Sequence, residues 1–150
     1  MIRLSKVRMV DVTPKPEVYR EAVAEGVIRL RRETIRAIRE GRIEKGDPLA
    51  TAELAGILAA KRTWELIPLC HPIPLTHVNV ECSIADEEHV RCTARVATTA
   101  KTGVEMEALT AVSIALLTVW DMVKKLEKDE EGQYPVTRIE LVRVVKKQKG

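Results

Sequence analysis

The sequence predicts a single α+β domain over residues 1–150: an antiparallel four-stranded sheet with its helices on one face, in the split βαβ order of ferredoxin-like folds. Three observations predict it. Two alternating runs, Val78, Val80, Cys82, Ile84 and Val90, Cys92, Ala94, Val96, flank Asp86-Glu87-Glu88 and read as a hairpin with one face on a core. A stretch of thirteen residues without charge, Ala108 to Trp120, follows a glycine turn and two glutamates and reads as a buried helix. One strand precedes this group and one follows, giving the order strand, helix, helix, strand, strand, helix, strand.

Each element has its own signal. Met1-Ile2-Arg3-Leu4-Ser5 carries no apolar h-region, and Thr13-Pro14-Lys15-Pro16 forces an extended arm or turn. Val18 to Leu30 reads as the first strand: Gly26 interrupts a helix, and Gly26 to Arg31 alternates. Glu33 to Arg39 reads as a short helix with Gly41 as its C-cap. Lys45-Gly46-Asp47-Pro48 turns into the next helix, with Asp47 as N-cap and Pro48 at the first helical position. Its small residues allow another backbone to approach, and it runs to about Leu66, before Pro68. Leu69 to Leu75 is a loop stiffened by Pro72 and Pro74. After the hairpin, Lys101-Thr102-Gly103 leads into the long helix, which ends near Lys125. Asp129 to Gly132 is a charged loop. Val136 to Val145 is the last strand, with Ile139, Leu141 and Val144 inward, and Lys146 onward is a basic tail.

Composition narrows the function classes. A hydrophobic share of 45% and a charged share of 31% are those of a soluble globular protein. A net charge of +3 suits an anionic small molecule and does not demand a nucleic acid. The uncharged stretch is too soon ended by Asp121 to cross a membrane. The three cysteines, Cys70, Cys82 and Cys92, form no C-x-x-C pair; they predict free thiols in a cytoplasmic, reducing compartment.

The residues suited to chemistry lie in loops and at helix ends. His71 sits in a loop held by Pro68, Pro72 and Pro74, with a ring that titrates near neutral pH. The competing reading is a His that packs under the loop and bonds a carbonyl. Nothing beside Cys70 lowers its pKa, so it reads as a structural thiol. Three histidines without ligand spacing make a zinc site improbable. Glu105 and Glu107 point about 200° apart on a helix, so one can face a site while the other meets a basic neighbour. Asp121 and Lys124 form an i,i+3 pair. Glu107 and Asp121 face nearly the same way but lie roughly 21 Å apart along the axis. They cannot serve one small substrate unless a second chain supplies one end. Lys45, beside Gly46, can meet a phosphate as a point charge, and Lys15, Lys61, Arg62 and Lys101 hold similar turn or helix-end positions. The common nucleotide loops G-x-x-x-x-G-K-[ST] and G-x-G-x-x-G are absent.

Taken together, Lys45-Gly46-Asp47, Ala60 to Trp64, Leu69-Cys70-His71-Pro72, Lys101 to Thr110, and Asp121-Met122 with Lys124 resemble the molybdenum cofactor biosynthesis protein C family, the cyclic pyranopterin monophosphate synthases. The resemblance spans nearly the whole chain from Met9, and the Lys101–Thr110 run is its most specific part. It implies a ferredoxin-like subunit in a homohexamer, a trimer of dimers, with active sites at dimer interfaces. It implies a GTP-derived substrate, 3′,8-cyclo-7,8-dihydro-GTP, converted to cyclic pyranopterin monophosphate with loss of pyrophosphate. Carried over by position, Asp121, Lys124, Lys45 and His71 are the catalytic candidates. Leu69, Cys70, His71, Glu105, Met106, Glu107 and Lys61 are the substrate-binding ones. No metal or other cofactor is implied; Mg²⁺ accompanying the substrate triphosphate is left open.

The rival class is a non-enzymatic basic module for nucleotides or nucleic acid on the same fold. Such a module needs stacking aromatics on its sheet. The strands hold almost none, and Trp64 and Trp120 fall on helices.

Overall fold

A computed structural model describes residues 6–150 of the chain; the reading of Met1–Ser5 lies outside the described residues. The elements are β1 (Val18–Arg29), α1 (Arg32–Arg39), α2 (Pro48–Lys61), α3 (Thr63–Leu66), β2 (His77–Ile84), β3 (His89–Ala100), α4 (Glu105–Glu127) and β4 (Arg138–Lys149). The sheet runs β2-β3-β1-β4, and each neighbouring pair is antiparallel. That is the split βαβ order expected from the sequence.

Alternation along the strands decides which face is covered. Ala22, Ala24 and Ile28 of β1, Val90, Cys92, Ala94 and Val96 of β3, and Val80 and Cys82 of β2 are buried on the inner face. Against them α4 lays Ala108, Val112, Ala115, Leu116, Val119 and Val123, and α2 lays Ala52 and Ala60. With no Phe in the chain, layer spacing depends on small residues. Gly26 is the closest point: a β-carbon there would stand 2.6 Å from Leu116 and Val112 side chains. The glycine that excluded a helix is therefore the seat of α4 on the sheet.

The capping predictions are met. Asp47 Oδ1 accepts from the Leu49 and Ala50 amides at 2.9 and 3.2 Å, with Pro48 in the first turn. Gly41 (φ 67°) follows α1; its amide bonds Ile38 O and that of Arg42 bonds Ala37 O, a Schellman end.

Four expectations are corrected. The helix predicted to reach Leu66 breaks at Arg62, where the Thr63 hydroxyl bonds back to the Ala59 and Ala60 carbonyls and starts the separate turn α3. The basic tail is not a tail: β4 runs to Lys149, pairing through Lys147 and Lys149 with Ala22 and Arg20. Register shifts at Val23/Ala24 and Val27/Ile28 place Leu141 opposite Val27, on the outer face, while Ile139 stays opposite the inward Ile28. The three thiols are not all free. Cys82 and Cys92 stand opposite each other on β2 and β3, 4.1 Å apart at Cα, and are joined as a disulfide, leaving Cys70 as the free cysteine. Two inward positions directly across one hairpin bring their sulfurs together.

The long helix extends past its uncharged stretch to 23 residues, long and apolar enough by composition to cross a membrane. In the fold it is the central layer, packed on β1 and β3 and against α2.

Candidate active site

The charged residues gather at the two ends of α4. At the C-terminal end, Lys45 Nζ donates to Asp121 Oδ2 at 3.0 Å and to its carbonyl at 3.1 Å, and Lys124 Nζ lies 3.2 Å from Oδ1. Lys45 reaches α4 because the Schellman end of α1 and the turn at Gly46 (φ 114°) swing its segment over the helix. Hydrogen bonds from Lys45 and Lys124 hold the Asp121 carboxyl below the usual Asp range. All three side chains remain about half exposed. They line a cleft of roughly 380 Å³ with Ile43 and Met122. Two ammonium groups with donors to spare, spaced by one carboxylate, can bind phosphate oxygens or pass a proton.

At the N-terminal end, Glu107 is 3% exposed. Its Oε2 lies 3.7 Å from Cys70 Sγ, and its Oε1 has no partner among the described residues. Burial pushes the Glu107 carboxyl above its ordinary value. Glu105 turns the other way and meets Lys147 of β4 at 3.4 Å, again leaving a buried Oε1 without a partner. The divergence expected from their spacing is present, one Glu toward the site and one toward a basic neighbour. Burial, then the Glu107 charge, raises the Cys70 thiol to about 11. A thiol that weakly acidic is no nucleophile at neutral pH, so the structural reading stands.

The N-terminal arm lies across this end. His71 Nε2 is 2.6 Å from the Val10 carbonyl, and Lys101 Nζ donates to the Thr13 carbonyl at 3.0 Å. His71 thus takes the carbonyl-bonded form weighed against the catalytic one, with Nδ1 left as the acceptor nitrogen. A cleft of about 220 Å³ opens between Val12, His71, Pro74, Thr99 and Lys101. Its floor is fixed by Arg20, 5% exposed, whose guanidinium donates to the Lys101 and Ala100 carbonyls at 3.1 and 3.4 Å. Sequence reading passed over Arg20, although the alternation that turns Ala22, Ala24 and Ile28 inward places it on the same face of β1.

The expected residues therefore form two clusters within one chain, Lys45–Asp121–Lys124 and Cys70–Glu107 with His71 and Glu105. Leu69 and Met106 flank the second cluster and are partly exposed. Lys61 is exposed on the last turn of α2 and bonds to neither cluster among the described residues. Among the described residues no three His, Cys, Asp or Glu side chains gather to hold a metal ion.

Fold and site together define a ferredoxin-like α+β protein carrying an ionisable cluster at each end of one core helix. Residues 9–150 match the MoaC family, and the chain belongs to it. It is 62% identical over 141 residues to a protein of Pyrococcus abyssi named probable cyclic pyranopterin monophosphate synthase, covering 94% of this chain and 88% of that one. It is also 62% identical over 145 residues to a Methanothermobacter thermautotrophicus protein named probable cyclic pyranopterin monophosphate synthase accessory protein, covering 95% and 89%. A Sulfolobus acidocaldarius protein with the synthase name is 59% identical over 142 residues, 95% of this chain and 99% of its own.

Proposed function

We propose that this protein is a cyclic pyranopterin monophosphate synthase, a lyase of molybdenum cofactor biosynthesis. It converts 3′,8-cyclo-7,8-dihydro-GTP to cyclic pyranopterin monophosphate and releases pyrophosphate. The observation that carries the proposal is the Lys45–Asp121–Lys124 cluster in an open cleft. Expelling pyrophosphate needs cations at the leaving oxygens, and opening a guanine-derived ring needs groups that exchange protons. Asp121 orients both lysines; Lys45 and Lys124 hold phosphate oxygens or act as acid and base. At the other end of α4, the unpartnered oxygens of Glu105 and Glu107 are acceptors for the N–H groups of the pterin precursor. His71 Nδ1 accepts a proton while the Val10 carbonyl fixes the ring. Leu69, Cys70 and Met106 wall that end, and Lys61 reaches the substrate only across a subunit boundary.

One substrate meets both clusters when two chains bring opposite ends of α4 together. This supports a dimer with sites at its interface, and the family resemblance extends it to a homohexamer, a trimer of dimers. Exposed Leu54, Leu58, Trp64, Leu66 and Leu117 on the helical face supply apolar surface for such contacts. The protein works on this small molecule in the cytoplasm, without nucleic acid or membrane. The outer face of the sheet fits poorly with nucleic acid: Arg95 is paired with Glu21, and Arg91 and Arg143 with Glu25.

Alanine substitution tests the roles through pyrophosphate release from the cyclised GTP. Lys45, Lys124 and Asp121 variants lose at least a hundredfold in kcat/KM. Full activity in Lys124→Ala or His71→Ala would remove those residues from the mechanism.

A further inference from the structure

One buried charge lies outside both clusters. Glu127, the last residue of α4, is fully buried. Its Oε2 accepts the Arg31 amide at 3.0 Å and the Thr34 hydroxyl, and its Oε1 accepts the Thr137 hydroxyl at 2.6 Å. The Arg31 guanidinium donates back to the Glu127 carbonyl at 3.2 Å. The first turn of α1 receives no cap from Arg31's own side chain. Its N-terminus is capped instead by a carboxylate from another helix.

A buried carboxylate is costly, and well-packed apolar residues often replace one without loss of stability. What apolar packing lacks is a fixed register: three donors from α1 and the approach to β4 meet one carboxylate at one position of α4. The α1–α2 connection leaves from the other end of α1, after Arg39, and touches α4 again at Lys45–Asp121, six positions earlier, roughly 9 Å along the axis. The neighbouring Glu44–Lys125 pair is largely exposed on both sides and holds little.

We propose that Glu127 is a positioning residue for the Lys45–Asp121–Lys124 cluster, locking α1 to the end of α4 so that Lys45 is delivered onto Asp121. The inference rests on the proposed role of Lys45 in the reaction. Loss of the carboxylate frees the start of α1, and Lys45 no longer holds one place over the cleft.

The test is a double-mutant cycle on the full-length protein, read as kcat and KM for pyrophosphate release from 3′,8-cyclo-7,8-dihydro-GTP. Glu127→Ala lowers kcat between tenfold and a hundredfold, the scale of about 1 Å of misplacement. Glu127→Gln keeps an acceptor of the same shape and recovers most of the rate. Added to Lys45→Ala, Glu127→Ala costs no further activity, because the group it positions is already gone. Multiplying losses in the double variant would overturn the proposal and leave Glu127 merely structural. Should Glu127→Ala fail to fold, Thr34→Val removes a single donor and carries the same cycle. Unchanged kcat in Thr34→Val, with Lys45→Ala inactive, would also overturn it. Full activity in Lys45→Ala would instead overturn the function assigned to the cluster, which separates the two failures.

Discussion

Cys70 shows how neighbours decide what a residue can do. In sequence it adjoins a histidine, a common setting for a thiol nucleophile. In the fold it is partly desolvated and lies 3.7 Å from the Glu107 carboxylate. Both effects raise its pKa, to about 11. At pH 7.5 its thiolate is scarce, so iodoacetamide modifies it far more slowly than a free thiol and Cys70→Ala keeps most of the activity. Fast alkylation of Cys70 with parallel inactivation, followed by mass spectrometry, would contradict this. Asp121 shows the opposite effect, since cations on both sides keep it ionised. The identities of these residues were legible in the sequence through their turns, helix ends and family resemblance. Their partners were not. Nothing local to His71 names Val10, and nothing local to Glu127 names Thr34, because such contacts span large separations along the chain.

At the scale of elements, local rules were legible wherever local chemistry governs. Asp47, Pro48 and Gly41 cap as their residue types require, and Asp47→Ala should cost about 1 kcal/mol, measurable by urea unfolding. Gly26 gave a correct strand for an incomplete reason. Its small size matters because α4 sits on it, so Gly26→Val should cost about 1–3 kcal/mol by overpacking against Val112 and Leu116. Unchanged denaturation midpoints would refute that. The bulges of β4 were not legible, since a one-residue slip leaves no mark in an alternating run. The break at Arg62 depends on which way the Thr63 hydroxyl turns.

The hairpin carries a pH-dependent tie between strands. His89 has Asp86 at 2.8 Å on Nδ1 and Glu140 of β4 at 2.8 Å on Nε2. Arg29 of β1, Glu88 and Arg138 stand close by on the same end of the sheet. Partial burial pulls the imidazolium down, but the two carboxylates outweigh it, and its pKa lies above 6.5 in the folded protein. A raised folded-state pKa stabilises the fold fully below pH 6.5. That contribution fades as pH rises through the folded value. Stability measured from pH 6 to 9 should therefore fall more in the wild type than in His89→Gln. Parallel curves would exclude the tie.

Over the whole molecule, one helix organises both the core and the site. The middle of α4 is apolar because it seats on the sheet, and its ends are charged because they emerge near the loops. Sequence alone fixed the roughly 21 Å between Glu107 and Asp121, and with it the expectation of paired chains. Which surfaces pair was not legible, since exposed leucines such as Leu54, Leu58 and Leu117 carry no address. The central claim is that one active site draws the Lys45–Asp121–Lys124 end from one chain and the Glu107 end from another. Co-refolding Lys124→Ala with Glu107→Ala in equal amounts tests it. Half of randomly formed pairs are mixed, and each mixed pair holds one intact site of its two, so about a quarter of wild-type pyrophosphate release should return. Activity no greater than the average of the two variants refolded separately would contradict it.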